Sequence, residues 1–375
     1  MADAAAATVT PRTLGVEEEF HLVDLTTRRL TPRAPELLAR LPDDGYVAEL
    51  QRCCVETNSS VVTGLDELRA DLTRRRTVVG RVAAGLGLGI AADGTMPLAA
   101  DHPLEPSAGP RYQRMFTDYA VLAREQVVCG SQVHVGIPDR DDAVRVAPRL
   151  AAWLPTLLAL SASSPYAADG ADTGYASART LLWQRWPTTG TGIAAWDAAD
   201  YDAQVAALVG IGVITDPGMI YTDVRPATVA PTLELRICDS CPDLDTLVLV
   251  AGLYRALVDR ELEGLETDPG RAPVPETFAR AARWRAARSG LEGELIDVPA
   301  AVARPAADVV RGLTEALSPW LDATGDLAQV RDLQERVLAA GSSAAQQRRA
   351  RRHRGPLTDV VDLLVEQTGG RTERH

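Results

Sequence analysis

Short alternating segments are the clearest pattern of apolar and polar positions in this chain. In four of them every second side chain is apolar, as in a β-strand with one buried face. These segments lie far apart, at residues 15–23, 47–58, 131–137 and 232–239. The polar positions are Glu17, Glu19 and His21 in the first segment, Gln132 and His134 in the third, and Glu234 and Arg236 in the fourth.

Helical periodicity occupies much of the remaining chain. Apolar residues recur at helical spacing over 65–86 and 244–263, and most of 275–368 has the same character. Residues 165–196, rich in Gly, Thr, Tyr and Trp, are predicted to form a long loop. Because the strands and helices do not alternate regularly, we expect an α+β fold with an antiparallel sheet rather than a doubly wound one.

The domain organisation follows from the same pattern. An Ala-rich tail at residues 1–11 is predicted to be disordered, and residues 12–370 to form one catalytic domain. Amphipathic helices, notably the segment 244–263, are left over after one sheet is covered. We therefore expect a homodimer.

The amino-acid composition disfavours some classes of function. The chain has 375 residues and a net charge of −12, and all 39 of its basic residues are arginine. An acidic balance argues against sequence-independent nucleic-acid binding, which needs a basic surface. Without lysine, any phosphate must be bound by arginine, backbone amides or a metal.

The cysteines and the apolar stretches indicate the cellular location of the protein. The five cysteines follow no disulfide framework, which indicates reduced thiols and a cytoplasmic protein. Cys238 and Cys241 form a C-x-x-C pair, but no second pair with ligand spacing accompanies it, so a zinc site there is disfavoured. We expect no membrane association, because the longest apolar stretch, 150–162, is too short to span a bilayer and contains Pro155.

The acidic strand positions favour a divalent cation. Glu17 and Glu19 lie two residues apart, a separation of roughly 7 Å on a strand, so each can bind a different ion. Mg²⁺ prefers oxygen ligands, and a nearby histidine also admits Mn²⁺. Taken singly, each glutamate is more often an ordinary solvated residue.

Three acidic residues do not fit a regular alternation. Glu18 falls among the apolar positions of its strand, so we expect either a buried arginine partner or a bulge. Glu49 and Glu56 are an odd number of residues apart and reach one site only if a bulge or turn lies between them.

Together these pieces resemble the carboxylate–amine ligase family related to glutamate–cysteine ligase type 2, a branch of the glutamine synthetase fold superfamily. The matching segments are GVEEEFHLVD (15–24), AELQRCCVETNS (48–59), CGSQVHVGIPD (129–139), SARTLLWQRWPTTG (177–190), GMIYTDVRP (218–226), PTLELRICD (231–239) and QQRRARRHRGPLTDVVDLLVEQT (346–368). They span nearly the whole chain in the family order. The implied fold is a glutamine synthetase-like antiparallel funnel with helices behind it, which holds ATP and Mg²⁺ or Mn²⁺.

The resemblance also implies roles for individual residues. The implied metal ligands are Glu17, Glu19, Glu49, Glu56, His134 and Glu234. His134 and Arg236 match positions at the ATP phosphates, and Arg225 matches a position near substrate or phosphate. Met96 and Gln132 depart from the pattern, since many relatives have histidine at the first position and some at the second, and this puts substrate contacts in doubt.

The implied activity joins a small-molecule carboxylate to an amine through an acyl phosphate, with glutamate and cysteine as the reference pair. A guanidino phosphotransferase and a non-catalytic regulatory relative on the same fold remain alternatives, and the acid-rich strands disfavour the former. The loop 165–196 is either a barrier to water or an ordinary surface loop. Its tryptophans and Tyr201 either wall a pocket or belong to the core, and the arginine run 348–354 is either a solvated helix end or a contact for ATP or a partner.

Overall fold

A computed structural model describes residues 10–42, 45–101 and 103–369. Most of the predicted tail, residues 1–9, therefore lies outside the described residues. The expectation of a single catalytic domain over 12–370 stays a prediction.

An antiparallel sheet forms the centre of the fold, as the alternating pattern predicts. Within the described part of the chain it contains seven strands, β1 (Leu14–Asp24), β2 (Tyr46–Ala48), β3 (Cys54–Asn58), β4 (Leu88–Ala91), β5 (Ser131–Gly136), β6 (Val224–Pro226) and β7 (Thr232–Leu235). The order across the sheet is β2-β3-β1-β5-β7-β6, and β4 also pairs with β1. Two further strands, β8 (Glu294–Asp297) and β9 (Val302–Pro305), form a separate hairpin.

Helices pack around the sheet, some against its apolar face and others beside its polar face. Those described are α1 (Ala34–Leu38), α2 (Leu65–Gly85), α3 (Pro110–Asp118), α4 (Val121–Arg124), α5 (Arg140–Val146), α6 (Leu154–Ser161), α7 (Ala178–Trp183), α8 (Ala198–Gly210), α9 (Leu244–Thr267), α10 (Glu276–Ser289), α11 (Ala306–Ala316), α12 (Ser318–Ala323), α13 (Leu327–Ala340), α14 (Ser343–Arg354) and α15 (Thr358–Gly369). The mixture of helices with an antiparallel sheet confirms the α+β prediction.

Helix α9 is the central helix of the largest core cluster. Its residues from Leu247 to Val258 are buried against the sheet and the surrounding helices. The sequence-based reason for a homodimer was therefore wrong, because this apolar face is already covered within the chain. The homodimer itself stays a prediction.

Several predicted boundaries were also wrong. Residues 47–58 form two strands rather than one. The loop 165–196 contains helix α7, and the helical C-terminal region contains the β8-β9 hairpin. The chain turns after Ala48, between β2 and β3. This turn allows Glu49 and Glu56 to reach one site.

A buried ion pair explains the acidic residue at an apolar strand position. Glu18 is fully buried, and the Arg76 side chain donates to it from α2, with Nε 3.1 Å from Oε1. Arg76 also donates to the carbonyls of Pro242 and Cys241, each at 2.6 Å. The pair thus joins the central strand to α2 and to the segment after β7, and it confirms the predicted buried arginine.

Among the described residues, no single helix is long and apolar enough to cross a membrane. One pair, Arg140–Ala152 with Leu154–Ser161, meets that test only when combined across a 69° bend.

We predict that Arg76→Ala destabilises the protein by about 3–5 kcal/mol, because it leaves the Glu18 carboxylate buried without a partner. The exposed pair of Arg311 and Glu335 provides the control, and Arg311→Ala should leave stability close to that of wild type, because exposed ion pairs contribute little. Equilibrium urea unfolding of both variants measures the difference. Equal effects of the two substitutions would show that the buried pair has no special structural role.

Candidate functional site

The strand register brings the predicted polar residues onto one face of the sheet. In the pairing of β1 with β3, Glu19 lies opposite Glu56, and Glu17 lies opposite Asn58. On the other side of β1, Glu17 lies opposite Gln132 in β5. Directly opposed residues in an antiparallel pair point to the same face.

The same register continues across the rest of the sheet. His134 lies opposite Glu234, and Glu234 lies opposite Arg225 in β6. A row of charged side chains therefore crosses five adjacent strands, from β3 to β6, while the alternate residues of these strands enter the core.

Three of these side chains form a first acidic cluster. Ligand atoms of Glu17, His134 and Glu234 lie within 4.8 Å of one another. The Nε2 atom of His134 is 3.3 Å from Oε1 of Glu17, and its Nδ1 atom is 2.9 Å from the Thr232 hydroxyl. The contact with Thr232 orients the ring so that Nε2 faces the carboxylate.

A second acidic cluster lies beside the first and consists of Glu19, Glu49 and Glu56. Glu19 accepts hydrogen bonds from the Gly130 amide at 2.7 Å and from the Gln132 side chain at 2.8 Å. Although Glu17 and Glu19 are only two residues apart, they belong to different clusters, as their separation on the strand predicts.

The carboxylates of the second cluster repel one another. Desolvation and the charge of Glu19 raise the pKa of Glu49 to about 7. Desolvation and the charges of Glu49, Glu17 and Glu19 raise the pKa of Glu56 well above its ordinary value. Three acids held this close have an excess of negative charge that a cation would neutralise.

Two arginines balance the charge of the first cluster. The Nε atom of Arg225 donates to Glu234 at 2.8 Å, and Arg236 donates to the other oxygen of the same carboxylate. Burial alone would raise the pKa of Glu234, but Arg236 and Arg225 outweigh it and lower this pKa to about 2. Arg225 is further fixed by the carbonyls of Gly218 and Ile220, at 2.7 and 2.8 Å.

Aromatic residues complete the wall of a cavity of about 230 Å³, which is also lined by Glu17 of the first cluster and by all three glutamates of the second. Those lining it are Tyr112, Trp183, Trp186 and Tyr221. The guanidinium of Arg236 lies 5.7 Å from the ring centre of Trp183. Of the aromatic residues considered from sequence, Trp183 and Trp186 line the cavity, whereas Tyr201 packs in a neighbouring apolar cluster and Trp196 is exposed.

Sequence reasoning missed part of this wall. Tyr112 and Arg111 come from α3, which has no acidic motif to mark it, and no feature of the sequence singled them out. Tyr221 lies in the matched segment 218–226, so the resemblance could have identified it.

The segment 165–196 is anchored beneath the cavity. The buried carboxylate of Asp239 accepts hydrogen bonds from the hydroxyls of Ser164 at 2.6 Å and Ser177 at 2.8 Å. These contacts place α7, and hence Trp183, beside the end of β7. The fixed part of this segment is therefore a wall of the site, and its role as a barrier to water stays a prediction.

The arginine run 348–354 forms the end of α14 and lies apart from the cavity-lining residues. Arg348 donates to Asp172 at 2.8 Å through Nε, and residues 351–353 are exposed.

The chemistry of the donors fits divalent cations. Oxygen donors predominate in both clusters, as Mg²⁺ requires, and the histidine also suits Mn²⁺. The Nε2 atom of His134 is buried and has no hydrogen-bond partner among the described residues, although it faces Glu17. An unpartnered imidazole nitrogen among carboxylates is the arrangement that a bound ion would satisfy.

Comparison with known proteins identifies the family. The family model described as glutamate–cysteine ligase family 2 matches residues 13–363. The chain belongs to this family. It is thereby classed with the carboxylate–amine ligases, as the matched segments predict.

Relatives of high identity agree with that assignment. A protein of Mycolicibacterium smegmatis, provisionally named glutamate–cysteine ligase 2-2, is 60% identical over 359 residues, covering 96% of this chain and 90% of the relative. One of Rhodococcus jostii, provisionally named glutamate–cysteine ligase 2-3, is also 60% identical, over 97% of this chain but 46% of the relative. The chain thus spans less than half the length of some relatives.

Solved structures show the fold. Glutamate–cysteine ligase from Francisella tularensis, in complex with AMP, superposes with a TM-score of 0.73 at 11% identity over 96% of this chain and 89% of that one. A bifunctional glutathione synthetase from Pasteurella multocida gives 0.68 at 15% identity, over 96% of this chain and 51% of that one. The ligase PafA in complex with Pup gives 0.57 at 14% identity, over 95% and 72%. These likenesses confirm the predicted glutamine synthetase-like fold.

The crowded carboxylates generate a prediction about pH. A carboxyl group whose pKa is raised by folding stabilises the folded state at low pH, and this contribution is lost as pH rises through the folded-state pKa. Without a cation, stability should therefore fall as pH rises from about 5 through the pKa of Glu49 at about 7, and the raised pKa of Glu56 should add to this fall. Added Mg²⁺ or Mn²⁺ should raise the melting temperature more at pH 8 than at pH 6.

The variant Glu56→Gln tests this prediction by thermal unfolding with and without Mg²⁺. At pH 8 it should melt above the metal-free wild type and respond less to Mg²⁺, because it removes one of the repelling charges and one ligand. The exposed Glu315 supplies a control, and Glu315→Gln should behave as wild type at both pH values. A Mg²⁺ response independent of pH and of Glu56 would contradict the assignment.

Proposed function

We propose that the protein is an ATP-dependent ligase that joins a small-molecule carboxylate to an amine through an acyl phosphate. The observation that carries the proposal is the pair of acidic clusters on one sheet face, bordered by Arg225 and Arg236. Carboxylates bind the divalent ions that accompany a nucleoside triphosphate, and guanidinium groups stabilise charge on phosphoryl oxygens. The family and the fold of its solved neighbours support the same activity.

In the proposed reaction, the substrate carboxylate attacks the γ-phosphate of ATP, ADP leaves, and an acyl phosphate forms. The amine then attacks the acyl carbon, and phosphate leaves as the amide forms. When bound, Mg²⁺ or Mn²⁺ would neutralise charge on the phosphate oxygens. Glu17, His134 and Glu234 would hold one ion, and Glu19, Glu49 and Glu56 another.

Within this scheme Arg236 would meet the γ-phosphate. Its guanidinium is buried, shares the site with Glu17 and Glu234, and keeps Nε without a hydrogen-bond partner among the described residues. The charge of Glu234 raises the pKa of Arg236 despite the opposing effect of burial, so it stays a cation. Arg225, held by two carbonyls and Glu234, would fix the position of that carboxylate and face the substrate.

The cavity wall would exclude water from the acyl phosphate. Trp183, Trp186 and Tyr221 pack against one another, with Trp183 and Tyr221 ring centres 4.8 Å apart. A dry wall protects an activated carboxyl group from hydrolysis.

All five cysteines are unpaired and buried, which supports the proposed cytoplasmic location.

The activity is tested by measuring ADP and phosphate release from ATP and Mg²⁺ with paired carboxylate and amine candidates, beginning with glutamate and cysteine. We expect release to require one compound of each class. Hydroxylamine added in place of the amine should give a hydroxamate of the activated carboxylate. ADP release without phosphate, driven by a guanidino compound alone, would identify a phosphotransferase, and failure to bind ATP would identify a non-catalytic relative.

Arg236→Ala should lower kcat by about 10²-fold or more, because it removes a preorganised cation from the phosphoryl oxygens. Arg236→Lys should restore only part of the rate, since an ammonium group lacks the bidentate fork of a guanidinium. Arg311→Ala, at an exposed pair, is the control and should retain wild-type kcat. If Arg236→Ala instead lowered only stability, with kcat of the folded fraction unchanged, Arg236 would be an ion-pair residue without a catalytic role.

A further inference from the structure

A second group of potential ligands lies on the same sheet face, beyond the carboxylates, and consists of His21, Cys54 and Cys129. His21 in β1 lies opposite Cys54 in β3, two residues further along these strands than Glu19 and Glu56. Cys129 precedes β5 and is held by a hydrogen bond from its amide to the Gly94 carbonyl, at 3.2 Å. All three side chains are buried.

The spacing of the three side chains suits a tetrahedral metal ion. Their ligand atoms all lie within 4.8 Å of one another. The sulfur atoms of Cys54 and Cys129 are 3.7 Å apart. Two thiolates bound to one Zn²⁺ at about 2.3 Å and a tetrahedral angle are separated by about 3.8 Å. The observed separation therefore needs little adjustment to accept an ion.

The surroundings of His21 provide independent support for a ligand. Its Nδ1 atom lies 2.9 Å from Oδ1 of Asp93, and both side chains are fully buried. The other ring nitrogen, Nε2, is buried without a hydrogen-bond partner among the described residues. Histidines that bind metals commonly contact a carboxylate through the second nitrogen, which fixes the ring orientation and increases its basicity.

We propose that His21, Cys54 and Cys129 bind one Zn²⁺ ion, with Asp93 orienting His21. Imidazole and thiolate donors favour zinc, whereas the neighbouring carboxylates favour Mg²⁺ or Mn²⁺. On binding, each thiol releases its proton to solvent and the imidazole coordinates in its neutral form. Cys54 also lines the cavity, which gives an ion a route to the site.

The position of the site indicates its structural effect. The ligands come from β1, β3 and the segment that leads into β5, and these three strands also carry members of the acidic clusters. A bound ion would link them at one end of the cavity, close to Glu19 and Glu56. The proposal concerns binding and does not depend on the proposed ligase activity.

Cobalt provides a direct test on the full chain, because thiolate-bound Co²⁺ has a charge-transfer band that carboxylate-bound Co²⁺ lacks. The reduced protein is first given excess Mg²⁺ to occupy the carboxylates and is then titrated with Co²⁺. We expect the thiolate band and tetrahedral visible bands to saturate at one ion per chain and to disappear when Zn²⁺ is added. Absence of the band from folded, reduced protein would overturn the proposal and leave a thiol cluster that serves only packing.

Matched cysteine variants assign the ligands. Cys54→Ala and Cys129→Ala should lose the band, while Cys238→Ala, a buried cysteine outside the group, should retain it. Circular dichroism checks that each variant is folded. Equal loss of the band in Cys238→Ala and Cys129→Ala would refute the assignment.

Asp93→Asn keeps all three ligands, so it tests the site even if a cysteine variant does not fold. It should weaken Zn²⁺ binding by about 10- to 100-fold, as expected when the carboxylate behind a metal-bound histidine is removed. Competition with a zinc-sensitive dye measures the affinity, and wild-type affinity in Asp93→Asn would contradict the orienting role given to Asp93.

Discussion

The register of β1 with its neighbours is the constraint on which the rest of the site depends. This strand pairs with β3 along one edge and with β5 and β4 along the other. A shift of one residue would turn Glu17 and Glu19 into the core and expose Val16 and Phe20 to the cavity. The Glu18–Arg76 pair opposes such a shift, because Glu18 would lose its buried partner.

The site concentrates negative charge and balances only part of it within the chain. Glu234 has two guanidinium partners, so its pKa falls, whereas Glu49 and Glu56 lack comparable partners and their pKa values rise. Glu234 thus already has cationic partners within the chain, whereas Glu49 and Glu56 would gain a comparable partner only from a bound cation. This contrast is also the physical reason for assigning the second cluster to a divalent ion.

Two classes of ligand are separated along the same strands. Oxygen donors occupy the positions of Glu17 and Glu19 on β1, and the next position on that face is His21, opposite a cysteine. Because successive positions on one strand face are roughly 7 Å apart, hard and soft donors form distinct groups rather than one mixed site. Trp183 belongs to the aromatic wall of the cavity, and the contacts of Asp239 hold the segment that precedes it.

Much of the fold and many of the candidate site residues were determined by the sequence itself. Alternation placed Glu17, Glu19, His134 and Glu234 on the polar strand faces, and Glu18 at an apolar position indicated either a buried arginine partner or a bulge, because periodicity depends only on neighbouring residues. Only the tertiary structure decided that Glu49 reaches Glu56 through a turn, that α9 is covered within the chain, that Tyr112 and Tyr221 wall the cavity, and that Cys129 meets His21 and Cys54. These contacts join residues far apart in sequence, and their geometry depends on strand pairing and loop paths that no local pattern specifies.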